Sequence, residues 1–339
     1  MLRSAVTIDS RFREHDPGAG HPERPDRIAV LEDLIAGWRG PRLEQVAARL
    51  AGEDEIRAAH SAGLVEQVRA TQGQRRCRID ADTATSERSY ETALLAAGGL
   101  VELADAVATG AHRNGFAFVR PPGHHATATQ AMGFCLFNNA AVAARHLRAV
   151  HGYERIAIVD WDLHHGNGTE AIFCEDPSVL YVSLHQYPYY PGTGAASDVG
   201  RGAGTGFTVN VPFSAGVGDA GFLLAFDQIV EPILRQYAPR FILVSAGFDA
   251  HHRDPLGGLR TTEEGYREMA RRLLAVADDV ADGRIVAVLE GGYDLDAIRD
   301  STEAVLTAMS SPLDPIRPLE VSSEALEPLK RILRPYWRV

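Results

Sequence analysis

From about residue 90 onward, short apolar runs alternate with longer amphipathic or Ala/Leu-rich stretches. Tyr90 to Thr109 has a helical composition, and Gly110 stands just past its end, where helices commonly stop. Gly115-Phe-Ala-Phe-Val119 reads as a strand, and Asn139 to His151 as an amphipathic helix closed by Gly152. Strands at 155–160 and 178–184 flank a short helix near 167–174, and a strand at 207–211 follows a glycine-rich loop. Helices at 219–237, 262–280 and 294–309 alternate with strands at 240–245 and 284–289. Apolar strands separated by helices predict βαβ units and a parallel sheet. The expected fold is α/β, one domain over residues 1–310 with a central parallel sheet and helices on both faces. A proline-bearing tail, 311–339, is expected to pack on that domain.

Ligands of such sheets bind at the carboxyl ends of the strands. The unusual polar residues fall at those ends. Strand 115–119 runs into Pro-Pro-Gly-His124-His125, and strand 155–160 into Asp160, Asp162 and His164. Strand 178–184 runs into His185, strand 240–245 into Asp249, and strand 284–289 into Glu290-Gly-Gly-Tyr293. Asp160, Asp162 and His164 alternate, and residues two apart on an extended chain share a face. Asp162, His164 and Asp249 make three protein ligands with one position left open, the arrangement of a catalytic zinc site. Such an ion lowers the pKa of a bound water toward ~7 and polarises a carbonyl.

His124 and His125 follow a rigid Pro-Pro-Gly turn. Taken alone, the pair fits a solvated loop equally well. On a rim with three metal-type ligands it reads as a general base and acid, a role worth ~10²–10⁴-fold. Asp160 is placed to orient one imidazole from behind, and Asn167 the other more weakly. Tyr293 follows two glycines that permit backbone angles closed to other residues. Its phenol could donate to a developing oxyanion, against the plainer reading of a strand-end tyrosine.

Other features carry less. Gly202-Ala-Gly-Thr-Gly206 precedes a strand instead of opening a helix, so it fits a dinucleotide loop poorly. No G-x-S-x-G elbow is present, which removes the usual serine-hydrolase signature. His251 and His252 read as rim residues, while His15, His21 and Cys135 have no spacing that assigns them chemistry.

Composition narrows the setting. The net charge of −11 disfavours direct nucleic-acid binding, whose affinity comes from neutralising phosphates. No apolar stretch approaches the roughly 18 residues of a membrane helix. The first ten residues carry Arg3 and no apolar block of the kind that opens a secretory leader. Three scattered cysteines fit a reducing compartment, and a cytoplasmic location is expected. Mean hydropathy of −0.14 is that of an ordinary globular chain.

The motifs together resemble a known family. Gly20-His-Pro-Glu-Arg-Pro-Asp-Arg27, Arg120-Pro-Pro-Gly-His-His125, Gly133-Phe-Cys-Leu-Phe-Asn138 and Val159-Asp-Trp-Asp-Leu-His-His-Gly-Asn-Gly168 are four of them. Val182-Ser-Leu-His185, Tyr190-Pro-Gly-Thr-Gly194, Ser245-Ala-Gly-Phe-Asp-Ala250, Asp254-Pro-Leu-Gly-Gly258 and Leu289-Glu-Gly-Gly-Tyr293 complete the set, in order along the chain. The sequence resembles the zinc-dependent histone deacetylase and acetylpolyamine amidohydrolase superfamily, in particular its class II, bacterial deacetylase-like branch. The resemblance implies an arginase-like fold and hydrolysis of an N-acyl amine, with acylated lysine or a small acyl-amine as substrate.

By motif position it implies zinc on Asp162, His164 and Asp249, tandem histidines at 124 and 125 backed by Asp160 and Asn167, and a carbonyl-polarising Tyr293. Asparagine at 167 looks like the class II pattern. Phe134 and Tyr190 would wall a substrate tunnel, the Gly133 carbonyl would accept the substrate amide proton, and Arg27 would line an interior acetate channel. A structural potassium ion would sit on Asp160, on backbone oxygens of Asp162 and His164, and on Ser183 and Leu184. Leu256 stands where polyamine-selective relatives carry glutamate, which favours acyl-lysine over acetylpolyamines. An acetylpolyamine enzyme, a binuclear ureohydrolase and an inactive binding module are the rival readings. The His-His pair and Tyr293 argue against the second, and the complete set of motif residues against the third. Oligomeric state is left open, and neither nucleic acid nor membrane is an expected partner.

Overall fold

The computed structural model describes residues 3–316 and 324–339. Its eight-stranded sheet is built from β1 (Ser4–Thr7), β2 (Leu43–Gln45), β5 (Asn114–Ala117), β6 (Ile156–Asp160), β7 (Val179–Gln186), β8 (Thr208–Phe213), β9 (Phe241–Ala246) and β10 (Ile285–Leu289). β3 (Cys77–Arg78) and β4 (Ala84–Thr85) form a small separate antiparallel pair. The main sheet runs β2-β1-β5-β10-β9-β6-β7-β8, and every pairing in it is parallel. Its inner strands are buried along their whole length, which is why they are apolar throughout instead of alternating.

Chain order reverses inside the sheet. After β8 the chain returns to insert β9 and β10 between β5 and β6. Right-handed crossovers that step in opposite directions put their helices on opposite faces. Helices Ser89–Ala108 and Asn139–His151 accordingly pack together, and helices Glu263–Val280 and Leu295–Ser310 form the other layer. The reversal makes β5, β10, β9 and β6 consecutive neighbours. Register aligns their ends: Asp160 lies opposite Ser183 on one side and Ser245 on the other, and Leu289 opposite Ala246. Residues more than 100 positions apart thus reach one rim.

Several expectations are adjusted. β5 stops at Ala117, and the Phe118 N–H gives that ladder its last bond, to the Thr7 carbonyl at 2.8 Å. The helix expected at 219–237 is one rod with a π-helical stretch at Phe226–Val230 between two α-helical parts. β7 extends to Gln186, so His185 is a buried strand residue and not part of the rim. Its ring is held by Ser183 Oγ at 2.9 Å and the Gly194 carbonyl at 2.8 Å. The N-terminal strands and helix Asp26–Gly37 were not anticipated. In the C-terminal segment Leu329 and Leu333 are buried, and Trp337 Nε1 donates to the Gly206 carbonyl at 2.7 Å.

Candidate active site

β6 delivers Asp160 at its last position, and the turn after it delivers Asp162 and His164. Asp249 comes from the loop after β9. One donor atom each from Asp162, His164 and Asp249 lie within 4.8 Å of one another, and all three residues are buried. Backbone donors fix the carboxylates: Leu163 N donates to Asp249 Oδ1 at 2.8 Å, His164 N to Asp162 Oδ1 at 2.8 Å, and Gly291 N to Asp162 Oδ2 at 2.7 Å. Gly291 has to be glycine, since a Cβ there would stand 2.2 Å from Asp249 Oδ2. Gly292 has φ of +116°, which L side chains rarely adopt.

The electrostatics of the trio call for a cation. Burial and Asp162 push Asp249 above the usual carboxylate range. Burial also opposes ionised Asp162, yet His124 and His164 hold it well below that range. His164 Nδ1 lies 3.2 Å from Asp162 Oδ1 and 3.0 Å from Asp249 Oδ2. Burial disfavours its charge, but hydrogen bonds to the two aspartates push its pKa up to about 10. A proton there offsets only one of two buried carboxylate charges. A divalent ion would serve the same need with a stronger field, and two oxygens plus one imidazole suit zinc.

The tandem imidazoles face this trio with unlike partners. His124 Nδ1 meets Asp160 Oδ2 at 3.0 Å, and Tyr181 OH donates to the same oxygen at 3.0 Å. Burial opposes charge on His124, but Asp162 and Asp160 outweigh it and push the pKa up to about 10. His125 Nδ1 meets Asn167 Oδ1 at 2.8 Å. Burial and the neighbouring His124 hold its pKa well below the ordinary imidazole value. The surroundings thus push the two rings in opposite directions, His124 toward the charged form and His125 toward the neutral one. The Asn167 oxygen only accepts, so His125 presents its hydrogen at Nδ1 and a free lone pair at Nε2.

Aromatic rings enclose the approach. Tyr190 meets His125 edge-on at 5.2 Å, and Phe134 meets Tyr293 edge-on at 5.9 Å. Burial keeps the Tyr293 phenol protonated, well above its usual pKa. The Gly133 carbonyl takes the Cys135 thiol at 3.3 Å. Leu256 is half-buried, its carbonyl accepting from Tyr189 OH at 3.1 Å. Arg27 is fully buried behind the rim, with Nε on the Gly292 carbonyl at 2.6 Å, Nη1 on Glu23 at 2.9 Å, and Cζ 5.2 Å from the Tyr293 ring centre. Ser183 is buried beside Asp160 in the register, with Leu184 next to it. His251, expected on the rim, is buried against Arg253 N and Glu263, whereas His252 is exposed.

Three supporting residues escaped the sequence reading. Glu290 Oε2 accepts from Gly123 N at 2.6 Å and His124 N at 3.1 Å, anchoring the turn that carries the imidazoles. Burial pushes its pKa up to about 7. Asp254 Oδ2 accepts from Tyr293 N at 2.7 Å, and Oδ1 from Leu256 N at 2.9 Å. Glu23 joins Arg27 and Arg120 in a buried charge group. Each lies in or beside a recognisable motif, but the role depends on a residue far away in sequence.

This fold with this rim has the parts of a metal-assisted amide hydrolase. Comparison with known proteins narrows the class. The histone deacetylase domain model matches residues 21–309, and the chain belongs to that family. A probable deacetylase of Archaeoglobus fulgidus is 39% identical over 311 residues, covering 91% of this chain and 86% of that protein. Histone deacetylase 15 of Arabidopsis thaliana is 43% identical over 316 residues, but the match spans only 56% of its length. The crystal structure of the HDA15 HD domain superposes with a TM-score of 0.92 at 41% identity, covering 99% of this chain and 97% of that one. Hydrolytic removal of an acyl group from an amine is the reaction class that follows. No helix among the described residues is long and apolar enough to cross a membrane.

Proposed function

We propose that this protein is a zinc-dependent amidohydrolase that removes acetyl or other acyl groups from lysine-like amines. The observation that carries the proposal is the buried Asp162, His164 and Asp249 trio beside two imidazoles with unlike partners, a carboxylate behind His124 and an amide oxygen behind His125. Asp162, His164 and Asp249 would hold the ion. Bound there, zinc supplies a Lewis acid that makes water nucleophilic near neutral pH and polarises the scissile carbonyl.

The chain's own groups do the rest. His125, with its hydrogen committed to Asn167, offers Nε2 to take the proton of the attacking water. His124, with the Asp160 carboxylate behind it at 3.0 Å, would offer a proton to the departing amine. Tyr293 OH would donate to the carbonyl oxygen as negative charge builds on it. Its backbone is fixed by Asp254 and its ring flanked by Phe134 and Arg27. Phe134 and Tyr190 would exclude water from an extended acyl-amine chain. The Gly133 carbonyl would accept the substrate amide proton, and the interior beside Arg27 would take the released acid.

Acyl-lysine is favoured over acetylpolyamine because Leu256 presents no carboxylate for a distal ammonium. A potassium ion at Asp160, Ser183, Leu184 and the Asp162 and His164 backbone oxygens is part of the proposal. It rests on a buried carboxylate and a buried hydroxyl placed in register. The test is a panel of acyl-lysine peptides and acetylpolyamines assayed with zinc-loaded protein. Turnover of the peptides supports the proposal, and a preference of more than about tenfold for acetylspermidine, 1.4 kcal/mol of transition-state binding, overturns the substrate reading.

A further inference from the structure

A second trio of metal-type side chains lies on the helices, near the opposite end of the strands. Asp105 is in the last turn of helix Ser89–Ala108, and His146 and His151 are in helix Asn139–His151. These helices lead toward the starts of β5 and β6, whereas the acyl-amine site lies beyond the strand ends. His146 Nε2 is 2.8 Å and His151 Nε2 2.7 Å from the same oxygen, Asp105 Oδ1. All three donors lie within 4.8 Å of one another.

The other nitrogen of His146 also faces a carboxylate, with Nδ1 3.4 Å from Glu55 Oε1. Glu55 is itself clamped by Arg49 at 2.7 Å through each oxygen. A neutral imidazole has one donor and one acceptor nitrogen, so it cannot satisfy two carboxylates. A metal ion on Nε2 would leave the Nδ1 hydrogen of His146 free to face Glu55. His151 is steadied by stacking on Tyr153, with ring centres 5.8 Å apart. Both helix C-termini present partial negative charge here, which favours a cation.

We propose that Asp105, His146 and His151 form a second site for a divalent transition ion such as zinc, with Glu55 orienting His146 and water completing the coordination. Two imidazoles and one carboxylate are an accepted zinc donor set, and an open fourth position is normal for it. Bond lengths of about 2.0–2.2 Å require the three donors to spread by roughly half an ångström. Half-buried side chains at a helix seam can do so. The bound ion would tie the two helices together. The rim that carries the acyl-amine chemistry is not involved.

The experiment is calorimetric titration of metal-stripped full-length protein with zinc chloride, in two backgrounds. Asp249→Ala protein should still take up one equivalent, and adding His146→Ala with His151→Ala should abolish it. Wild type should take up two equivalents and its His146→Ala/His151→Ala variant one, which covers the case in which Asp249→Ala folds poorly. Glu55→Gln should weaken the second equivalent by about 10–100-fold. Binding should weaken as pH falls, because both imidazoles must release their protons. A single wild-type equivalent that persists in the His146→Ala/His151→Ala variant, or two wild-type equivalents that both survive in that variant, would overturn the proposal. Neither result would bear on the acyl-amine site, whose activity is read separately.

Discussion

Two clusters in this chain offer nearly the same donors and differ in everything around them. Asp162, His164 and Asp249 stand at strand ends, with both aspartates fully buried and His164 only 10% exposed. Asp105, His146 and His151 stand on helices, with side chains 30%, 11% and 17% exposed. The first cluster is held by backbone N–H groups and faces an imidazole backed by a carboxylate, an imidazole backed by an amide, and a phenol. The second is braced by Glu55 and Tyr153 and opens to water. A donor trio can bind a metal in either place, but chemistry needs the proton-handling groups and the dry walls that only the first possesses. The difference also lies in rigidity. Strand ends locked by register cannot give way, whereas a helix seam can.

The sharpest way to break this comparison is to remove one ligand from each side. Asp249→Ala should lower kcat/KM to near background with loss of an equivalent of zinc, measured by elemental analysis beside a peptide assay. His146→Ala with His151→Ala should leave kcat/KM within about twofold while also losing an equivalent. An effect of similar size on activity from both would erase the distinction.

Within the catalytic rim, the expected order is base, then phenol. His125→Ala should lower kcat by roughly 10²–10⁴. Tyr293→Phe should lower kcat by roughly 10²–10³ with little change in KM, since the hydroxyl acts mainly in the transition state. A large rise in KM at unchanged kcat would make Tyr293 a binding residue.

A smaller effect separates the two imidazoles from each other. Asn167→Asp places a carboxylate behind His125, as Asp160 already stands behind His124. An adjacent negative charge favours the imidazolium. The pKa of His125, now held low by burial and His124, should rise, and the acidic limb of kcat/KM against pH should move upward. An unmoved or lowered limb would mean that His125 is not the base.

The smallest effect belongs to the tunnel mouth. Leu256→Glu should shift preference toward acetylspermidine by only a few-fold, because an exposed ion pair is worth ~0.2–1 kcal/mol. The ratio of kcat/KM for acetylspermidine and an acetyl-lysine peptide measures it.

The rim was legible in the sequence because strand ends announce themselves. Apolar runs stop, and aspartates and histidines follow at period two. That logic located Asp162 and His164, and the end of a later apolar run located Asp249, without any knowledge of pairing. It failed where the signal was tertiary. Strands as short as Ser4–Thr7 and Leu43–Gln45 carry too few residues to show a pattern. His185 looked terminal because β7 runs two residues further than its apolar run. Glu290, Asp254 and Glu23 hold the rim through partners 97 to 167 residues distant or through loops whose course no periodicity reveals. The second trio was invisible for a related reason. His146 and His151 are five apart, a spacing that puts residues on different helical faces, and Asp105 joins them from another helix.

The central claim is that a single ion at Asp162, His164 and Asp249 drives the reaction. Its most direct test is to add zinc in measured equivalents to metal-stripped His146→Ala/His151→Ala protein while following deacylation of an acetyl-lysine peptide. Activity should start near zero, rise in proportion to zinc and break sharply at one equivalent. Full activity before any metal is added, or a break at two equivalents, would contradict it.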